Sequence, residues 1–223
     1  MITKNIDSIW SVHTPVVFRF MQRLFVEDFF STGKLRLSSM HEFRKNEDEK
    51  LRDGHEGIYQ IVGHYSDGLT STGIAQGGYK SFILCGSTHE MHEQFGKNAA
   101  IQIFDTTAFG IAISKCIPGF QRGVEGFCIY NKLPVEYLVP AGLTFQDIGM
   151  HLEISGNEVE DNVNAFTAGL RTAQDNALYF KKQSRFSQES EYRWVWLADK
   201  LISKTLDVEC PAAREFCRPL FFN

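Results

Sequence analysis

The sequence predicts a single α+β domain over residues 1–223, built on a mixed or antiparallel sheet, and three observations carry that prediction. Segments with strand character outnumber those with helical character, and the two kinds do not alternate as they do in doubly wound folds. Neither GxGxxG nor GxxxxGK(S/T) occurs, which removes the usual sequence support for Rossmann or P-loop chemistry. The 19 Phe, beside 7 Tyr and 3 Trp, supply enough large apolar surface for a core without disulfide or metal staples. At 43% hydrophobic and 22% charged residues, disorder, collagen-like repeats and coiled coil are excluded as the main state.

A short strand is expected over 16–20, just after Pro15, then a helix over 21–30 that stops at Gly33. Residues 35–37 read as a second strand. Ser39 with Glu42 three residues later forms a capping box for a charged surface helix running through Leu51. Residues 58–65 alternate in the manner of a strand, and 68–78, rich in Gly, Ser and Thr, read as a loop. Further strands are expected over 81–85, 99–104, 127–130 and 135–139. Val159, Val163, Phe166, Leu170, Ala173 and Ala177 recur at spacings of three and four and predict the clearest amphipathic helix of the chain. Residues 191–197, aromatic-rich, read as a late strand.

The formal net charge is −4, so massed Lys and Arg of the kind that drives non-specific nucleic-acid binding is absent, although a local basic stripe is compatible with it. Cys85, Cys116, Cys128, Cys210 and Cys217 form an odd set without a CxxC pair, which points to buried free thiols in a reducing compartment. The opening MITKNIDSIWSVH shows no basic stretch followed by an apolar one, and no apolar run reaches the ~20 residues of a membrane span. A cytoplasmic protein with no membrane partner is the expectation.

Chemistry concentrates in three segments. In QSRFSQESEYRWVWL (183–197), Glu189, Glu191 and Arg193 share one strand face if the strand begins early enough, and Tyr192, Trp194 and Trp196 share the other. Carboxylates two apart at the mouth of an apolar strand must be solvated, paired or used. A strand-end ion pair between Glu191 and Arg193 is the structural alternative. In TPVVFRF (14–20), Arg19 lies in an apolar strand and needs either a buried acid or a bound phosphate. In KSFILCGSTHEMHEQFG (80–96), a buried strand ends at Gly86, and Ser87 and Thr88 either cap the next helix or orient a ligand. His89, Glu90, His92 and Glu93 have the look of metal ligands, but HExH is not HExxH, and no metal site is assigned.

An Arg, then Ser-Thr at a strand end, then Glu-x-Glu at the start of a late strand resembles the Arg/Ser/Glu pattern of ADP-ribosyltransferases. The opening FRFMQRLFVEDFFSTGKLRLSS resembles their nucleic-acid-modifying branch in bacterial toxin and anti-phage systems. FRKNEDEKLRDGHEG, followed by a strand that ends in Cys85 and Ser87 and by the late ExEYR, resembles an uncharacterised bacterial family often encoded near defence genes. The resemblance implies a split mixed or antiparallel sheet core with flanking helices, NAD as cosubstrate, and a macromolecular acceptor, RNA before DNA. It further implies a neutralising antitoxin protein as partner. It gives Arg19 to an NAD phosphate, Ser87 and Thr88 to the nicotinamide pocket, Glu191 to catalysis and Glu189 to acceptor activation. Here His89 follows Ser87-Thr88 where the family has a second Ser, the gaps between motifs are long, and Leu37-Ser38-Ser39 competes for the hydroxyl role.

The chemistry suits these residue types. Cleaving the nicotinamide–ribose bond builds positive charge at the anomeric carbon, which a carboxylate stabilises, and the pyrophosphate calls for charge-assisted donors. Arg36, Arg44 and Arg52 are candidates to assist or to contact an acceptor. Lys181, Lys182 and Arg185 form either a phosphate-contacting loop for a nucleic-acid acceptor or a solvated basic turn. Two other classes stay open: a catalytically inert nucleotide- or partner-binding module, and a metal-dependent nuclease or hydrolase using Asp53, Glu56, Glu189 and Glu191.

Overall fold

The computed structural model describes residues 2–5, 11–45, 58–64, 66, 68, 70–76, 78–90, 95–131, 135–138, 177–202 and 204–222. In chain order the strands are β1 (Ile2–Asn5), β2 (Ser11–Thr14), β3 (Val17–Met21), β4 (Lys34–Ser39), β5 (Ile58–His64), β6 (Thr70–Gln76), β7 (Ser81–Ser87) and β8 (Ala99–Ile103). They continue as β9 (Phe120–Phe127), β10 (Ile129–Asn131), β11 (Val135–Leu138), β12 (Lys181–Gln183), β13 (Glu191–Ala198), β14 (Leu206–Glu209) and β15 (Cys217–Phe221). The helices are α1 (Arg23–Thr32), α2 (Met40–Lys45), α3 (Thr106–Ser114) and α4 (Ala177–Phe180), with 3-10 helices at Ser184–Glu189 and Pro211–Phe216.

The class is α+β with a mostly antiparallel sheet, as the strand-rich, non-alternating pattern predicts. An eight-stranded sheet runs β14-β4-β7-β3-β8-β15, with β13 paired to β7 and β9 paired to β13. β7 is the hub. β13 covers seven of its residues on one edge, from Glu191↔Ser87 to Leu197↔Ser81. Its other edge is shared: β4 pairs at Ser38↔Ile83 and Ser39↔Phe82, and β3 pairs only at Phe18↔Ser87. The ladder therefore forks along β7. Smaller sheets hold β1-β2, β10-β12 and β11-β5-β6.

Each face of the main sheet carries its own core. Val17, Leu84, Ile101, Trp194 and Trp196 pack with Phe29 of α1 and Phe109 of α3 on one face. Ile83 and Val195 pack with Met40 of α2 and with Tyr179 and Phe180 of α4 on the other. The alternation of β13 sorts its residues between these two cores.

Helix α1 ends where the sequence predicts. Gly33 takes the left-handed conformation (φ 83°) and donates its N–H to Phe29 O, closing the last turn. Ser39 Oγ accepts from Glu42 N at 3.3 Å, so half of the expected capping box is made at α2. The expected continuation of α2 through Leu51 and the amphipathic helix over 159–176 lie outside the described residues, as do residues 65 and 139.

Other expectations change. Part of the loop expected over 68–78 is β6, which pairs with β5 from Ile58↔Gln76 to His64↔Thr70; backbone pairing outweighs the low strand propensity of its glycine and polar residues. The strand expected over 127–130 is divided between the end of β9 and β10. Helix α3 is apolar on nearly all sides, so no period-3.6 stripe marks it; Asp105 caps it by accepting from Ala108 N at 2.8 Å. β1, β2, β9, β14 and β15 are also additions to the predicted set. Among the described residues no helix is long and apolar enough to cross a membrane.

Gly33 carries a testable constraint. A Cβ there would overlap Pro211 N and stand 2.5 Å from Cys210 C, both backbone atoms. Gly33→Ala is expected to cost about 2 kcal/mol or more, from left-handed strain and this clash, lowering the melting temperature by roughly 5 °C or more in a chain of this size. A thermal melt equal to wild type would show that the α1 terminus adjusts freely.

Candidate functional site

The register gathers the sequence motifs at one end of three neighbouring strands. Glu191 at the start of β13 lies opposite Ser87 at the end of β7, and Ser87 lies opposite Phe18 of β3. Glu191, Ser87 and Phe18 therefore share a face. Arg19 is opposite Ile101 and leaves β3 on the other face, with Val17. Its Nη1 donates to Cys85 O at 2.9 Å, a carbonyl in the fork of β7 where neither β3 nor β4 completes the ladder. Its Nε is buried and makes no hydrogen bond among the described residues.

Glu191 is 5% exposed and both its carboxylate oxygens are engaged. Oε1 accepts from Arg193 Nε at 2.5 Å and Oε2 accepts from Lys182 Nζ at 2.6 Å. The ammonium of Lys182, 9% exposed, also donates to Glu189 Oε2 at 2.6 Å. Arg193 in turn donates from Nη1 to Tyr179 O at 2.8 Å. The strand-end pairing of Glu191 with Arg193 is thus present, within a larger cluster. Glu189 reaches it by a different route from the one expected. The strand does not begin early enough to hold Glu189, which ends the 3-10 helix. Ser190 between the two carboxylates has φ 45°, the left-handed region, and this turn brings both onto Lys182.

The local chain is clasped. Ser190 O accepts from both Thr88 N (3.0 Å) and Thr88 Oγ1 (3.1 Å), and Ser190 Oγ lies 3.2 Å from His89 Nδ1. Ser87, 2% exposed, accepts from His89 N through Oγ. The hydroxyls of Ser87 and Thr88 therefore cap and clasp at the strand end. Tyr130 OH accepts from Glu191 N at 2.8 Å and fixes the first residue of β13 from the other side.

The electrostatics follow from burial and these pairings. Burial opposes the charge on Glu191, but Arg193 and Lys182 outweigh it and hold its carboxyl well below the usual range. Burial likewise opposes the charge on Lys182, and Glu191 and Glu189 more than offset it, so the ammonium is held firmly protonated. Glu189 goes the other way: burial raises its carboxyl in spite of Lys182. The Cys85 thiol is pushed well up by burial and then by the neighbouring Glu191 carboxylate. Burial lifts Tyr130 to about 12.

Among the described residues, the basic side chains named from sequence stand in different places. Lys182 stands on β12 inside the cluster rather than on a phosphate-contacting loop or a solvated turn. Lys181 begins that strand, and Arg185 is exposed with its guanidinium 4.6 Å from the Phe186 ring centroid. Arg36 lies on β4, 67% exposed, in a two-bond pair with Asp207 of β14 (2.7 and 2.9 Å), outside the Glu191 cluster. Ser38 and Ser39 pair with the far end of β7 from Ser87. Arg52, Asp53, Glu56, His92 and Glu93 lie outside the described residues, as does the side chain of Arg44. Cys85 and Tyr130 complete the cluster without having been singled out; their only sequence signal is the strand in which each lies.

Comparison of the chain with protein-family models, with curated proteins and with solved structures finds no match.

Two outcomes test the cluster. Lys182→Met leaves Glu189 and Glu191 facing each other without the shared cation, and should cost about 3–5 kcal/mol, the usual cost of breaking a buried pair; chemical denaturation reads it. The acid limb gives the second test. Because the folded state lowers the Glu191 carboxyl from its ordinary 4.5, its contribution is complete above that value and is lost as pH falls through the folded value. Glu191→Gln should therefore flatten the loss of stability in strong acid relative to wild type, read by denaturation at stepped pH. Parallel acid limbs would assign that dependence to other carboxylates.

Proposed function

We propose that the chain is an NAD-dependent mono-ADP-ribosyltransferase whose acceptor is a macromolecule, RNA by preference, acting as a bacterial toxin or anti-phage effector. The observation that carries the reading is that β13 begins beside the end of β7, which sets Ser87-Thr88 against Glu191 and, through the turn at Ser190, near Glu189, with Arg19 on the neighbouring β3 but on its other face. The buried, unbonded Nε of Arg19 supports a phosphate partner, since a guanidinium fork offers donors in the geometry a phosphate accepts.

Within this reading Glu191 supplies a carboxylate that keeps its charge and faces the cation that develops at ribose. Lys182 is the partner that yields to the substrate, because Arg193 is additionally anchored to Tyr179 O. Glu189, with its raised carboxyl, is suited to exchange a proton with the acceptor. NAD supplies the leaving nicotinamide and the ribosyl centre. The acceptor class and the antitoxin partner rest on the resemblance, with Lys181 and Arg185 as the nearest basic side chains in sequence.

The burial of Glu191, with both oxygens engaged, favours a second reading: an inert module that binds a nucleotide or partner at the same strand ends. A metal-dependent hydrolase has less support, because the Lys182 ammonium occupies the position between Glu189 and Glu191 that a divalent ion would need.

Incubation with labelled NAD and separated RNA, DNA and protein distinguishes the readings. The transferase reading expects label in one fraction, RNA first, together with nicotinamide release. Glu191→Gln, checked for folding by circular dichroism, should lower both by about 10²–10³. Glu189→Gln should impair labelling while sparing nicotinamide release. NAD binding without nicotinamide release would replace the transferase with the binding module.

A further inference from the structure

We propose that Cys116 and Cys210 are a redox modification site: a peroxide joins them in a reversible disulfide that fastens the end of α3 to the start of the Pro211–Phe216 helix. The two residues are distant in sequence and meet through packing. Cys116 lies just past the end of α3, and Cys210 immediately precedes Pro211. Both thiols are directed at one atom, Ala112 O, with Cys210 Sγ 3.3 Å and Cys116 Sγ 4.0 Å from it. A single carbonyl oxygen approached by two thiols sets the two sulfurs beside each other. The other cysteines are placed differently. Cys217 Sγ donates to another carbonyl, Ala213 O, while Cys85 and Cys128 belong to the Glu191 end of the sheet.

The backbone around the pair is held without help from either thiol. Trp194 Nε1 donates to Thr106 O and Trp196 Nε1 to Gly110 O, each at 2.9 Å, which fixes α3 on the sheet. Cys116 N donates to Ile113 O at 2.9 Å, and Cys210 N donates to Gly33 O at 2.9 Å. The sulfurs can therefore turn toward each other while these bonds stay in place. Oxidation removes both S–H donors from Ala112 O, but that oxygen keeps the N–H of Lys115 at 3.3 Å, so the carbonyl is not left unsatisfied.

Exposure assigns the two roles. Cys210 is 2% exposed, and burial, then the neighbouring Cys116 thiol, pushes it up to about 11, so it stays protonated at neutral pH. Cys116 is half-buried at the edge of the core and is the sulfur that meets the oxidant. Its thiolate attacks one peroxide oxygen: the S–O bond forms, the O–O bond breaks, and the departing hydroxide takes up the thiol proton and leaves as water. The Cys210 sulfur then attacks the sulfenic sulfur of Cys116. The S–S bond forms, the S–O bond breaks, and the hydroxyl leaves as a second water with the Cys210 proton. The two thiols lose two electrons, and the peroxide gains them. A dithiol reductant reverses the step by exchange and becomes a disulfide itself.

The folded protein is treated with hydrogen peroxide, then denatured, alkylated with iodoacetamide and weighed by intact mass spectrometry. The chain has five cysteines, so joining one pair leaves three to alkylate, and dithiothreitol before alkylation should restore all five. Peptide mapping should place the cross-link between Cys116 and Cys210. Because the bond closes a long stretch of chain, the oxidised protein should unfold at a higher denaturant concentration than the reduced one. Cys116→Ser, which keeps a small polar side chain, should form no cross-link and show no such difference. In wild type, five labels after peroxide, loss of thiols to sulfinic acid without a cross-link, a cross-link joining any other pair, or equal unfolding midpoints would each overturn the proposal, whether or not the variant folds. None of these readouts depends on whether NAD is a substrate.

Discussion

A lysine ammonium held between two carboxylates organises one end of this molecule. Glu191 and Glu189 hold the charge on Lys182 inside the protein, and Arg193 and Lys182 hold the charge on Glu191. Each charge is tolerated because of the others. This mutual requirement fixes where β12 ends, where the 3-10 helix turns and where β13 begins. It also explains the left-handed backbone at Ser190, which is the local cost of bringing two carboxylates from different elements to one cation. The clasp of Thr88 on Ser190 O then ties β7 to the same point, so the strand ends form one bonded unit.

That unit bears directly on the proposed function. A carboxylate meant to stabilise a developing cation must be charged, desolvated and held still, and the cluster meets all three conditions at Glu191. The same conditions also describe a structural ion pair. The two roles differ in whether Lys182 can be displaced by a substrate, a question of energy differences rather than of arrangement. Arg19 stands apart on the opposite face, with its guanidinium filling the fork between β3 and β4.

The residues legible in the sequence are those that look wrong for their surroundings. Arg19 in VVFRF and Glu191 and Arg193 in an aromatic strand stand out because charge in an apolar run demands an explanation. The end of α1 is legible for a related reason, since Gly33 supplies a backbone conformation other residues avoid. Lys182 is not legible as a buried group, because nothing local separates a lysine that will be paired from one that will be solvated. Cys85 is marked only as the cysteine near the end of its strand and Tyr130 not at all; register brings both to Glu191. Helix α3 is hidden by being apolar around most of its circumference, and β6 by glycine and polar residues that read as a loop until β5 is beside them. Alternation places the two tryptophans on their face correctly.

The indole bonds from Trp194 and Trp196 to α3 have a mechanical meaning as well. Their acceptors, Thr106 O and Gly110 O, are one helical turn apart, and their donors are two residues apart on one strand. Helix and strand are thereby fastened at two points along their length, which resists both sliding and rolling of the helix on the sheet. Displacement by a single residue would break both fastenings and leave two indole N–H groups without acceptors. Helix α3 and β13 should therefore travel together in any rearrangement of the protein.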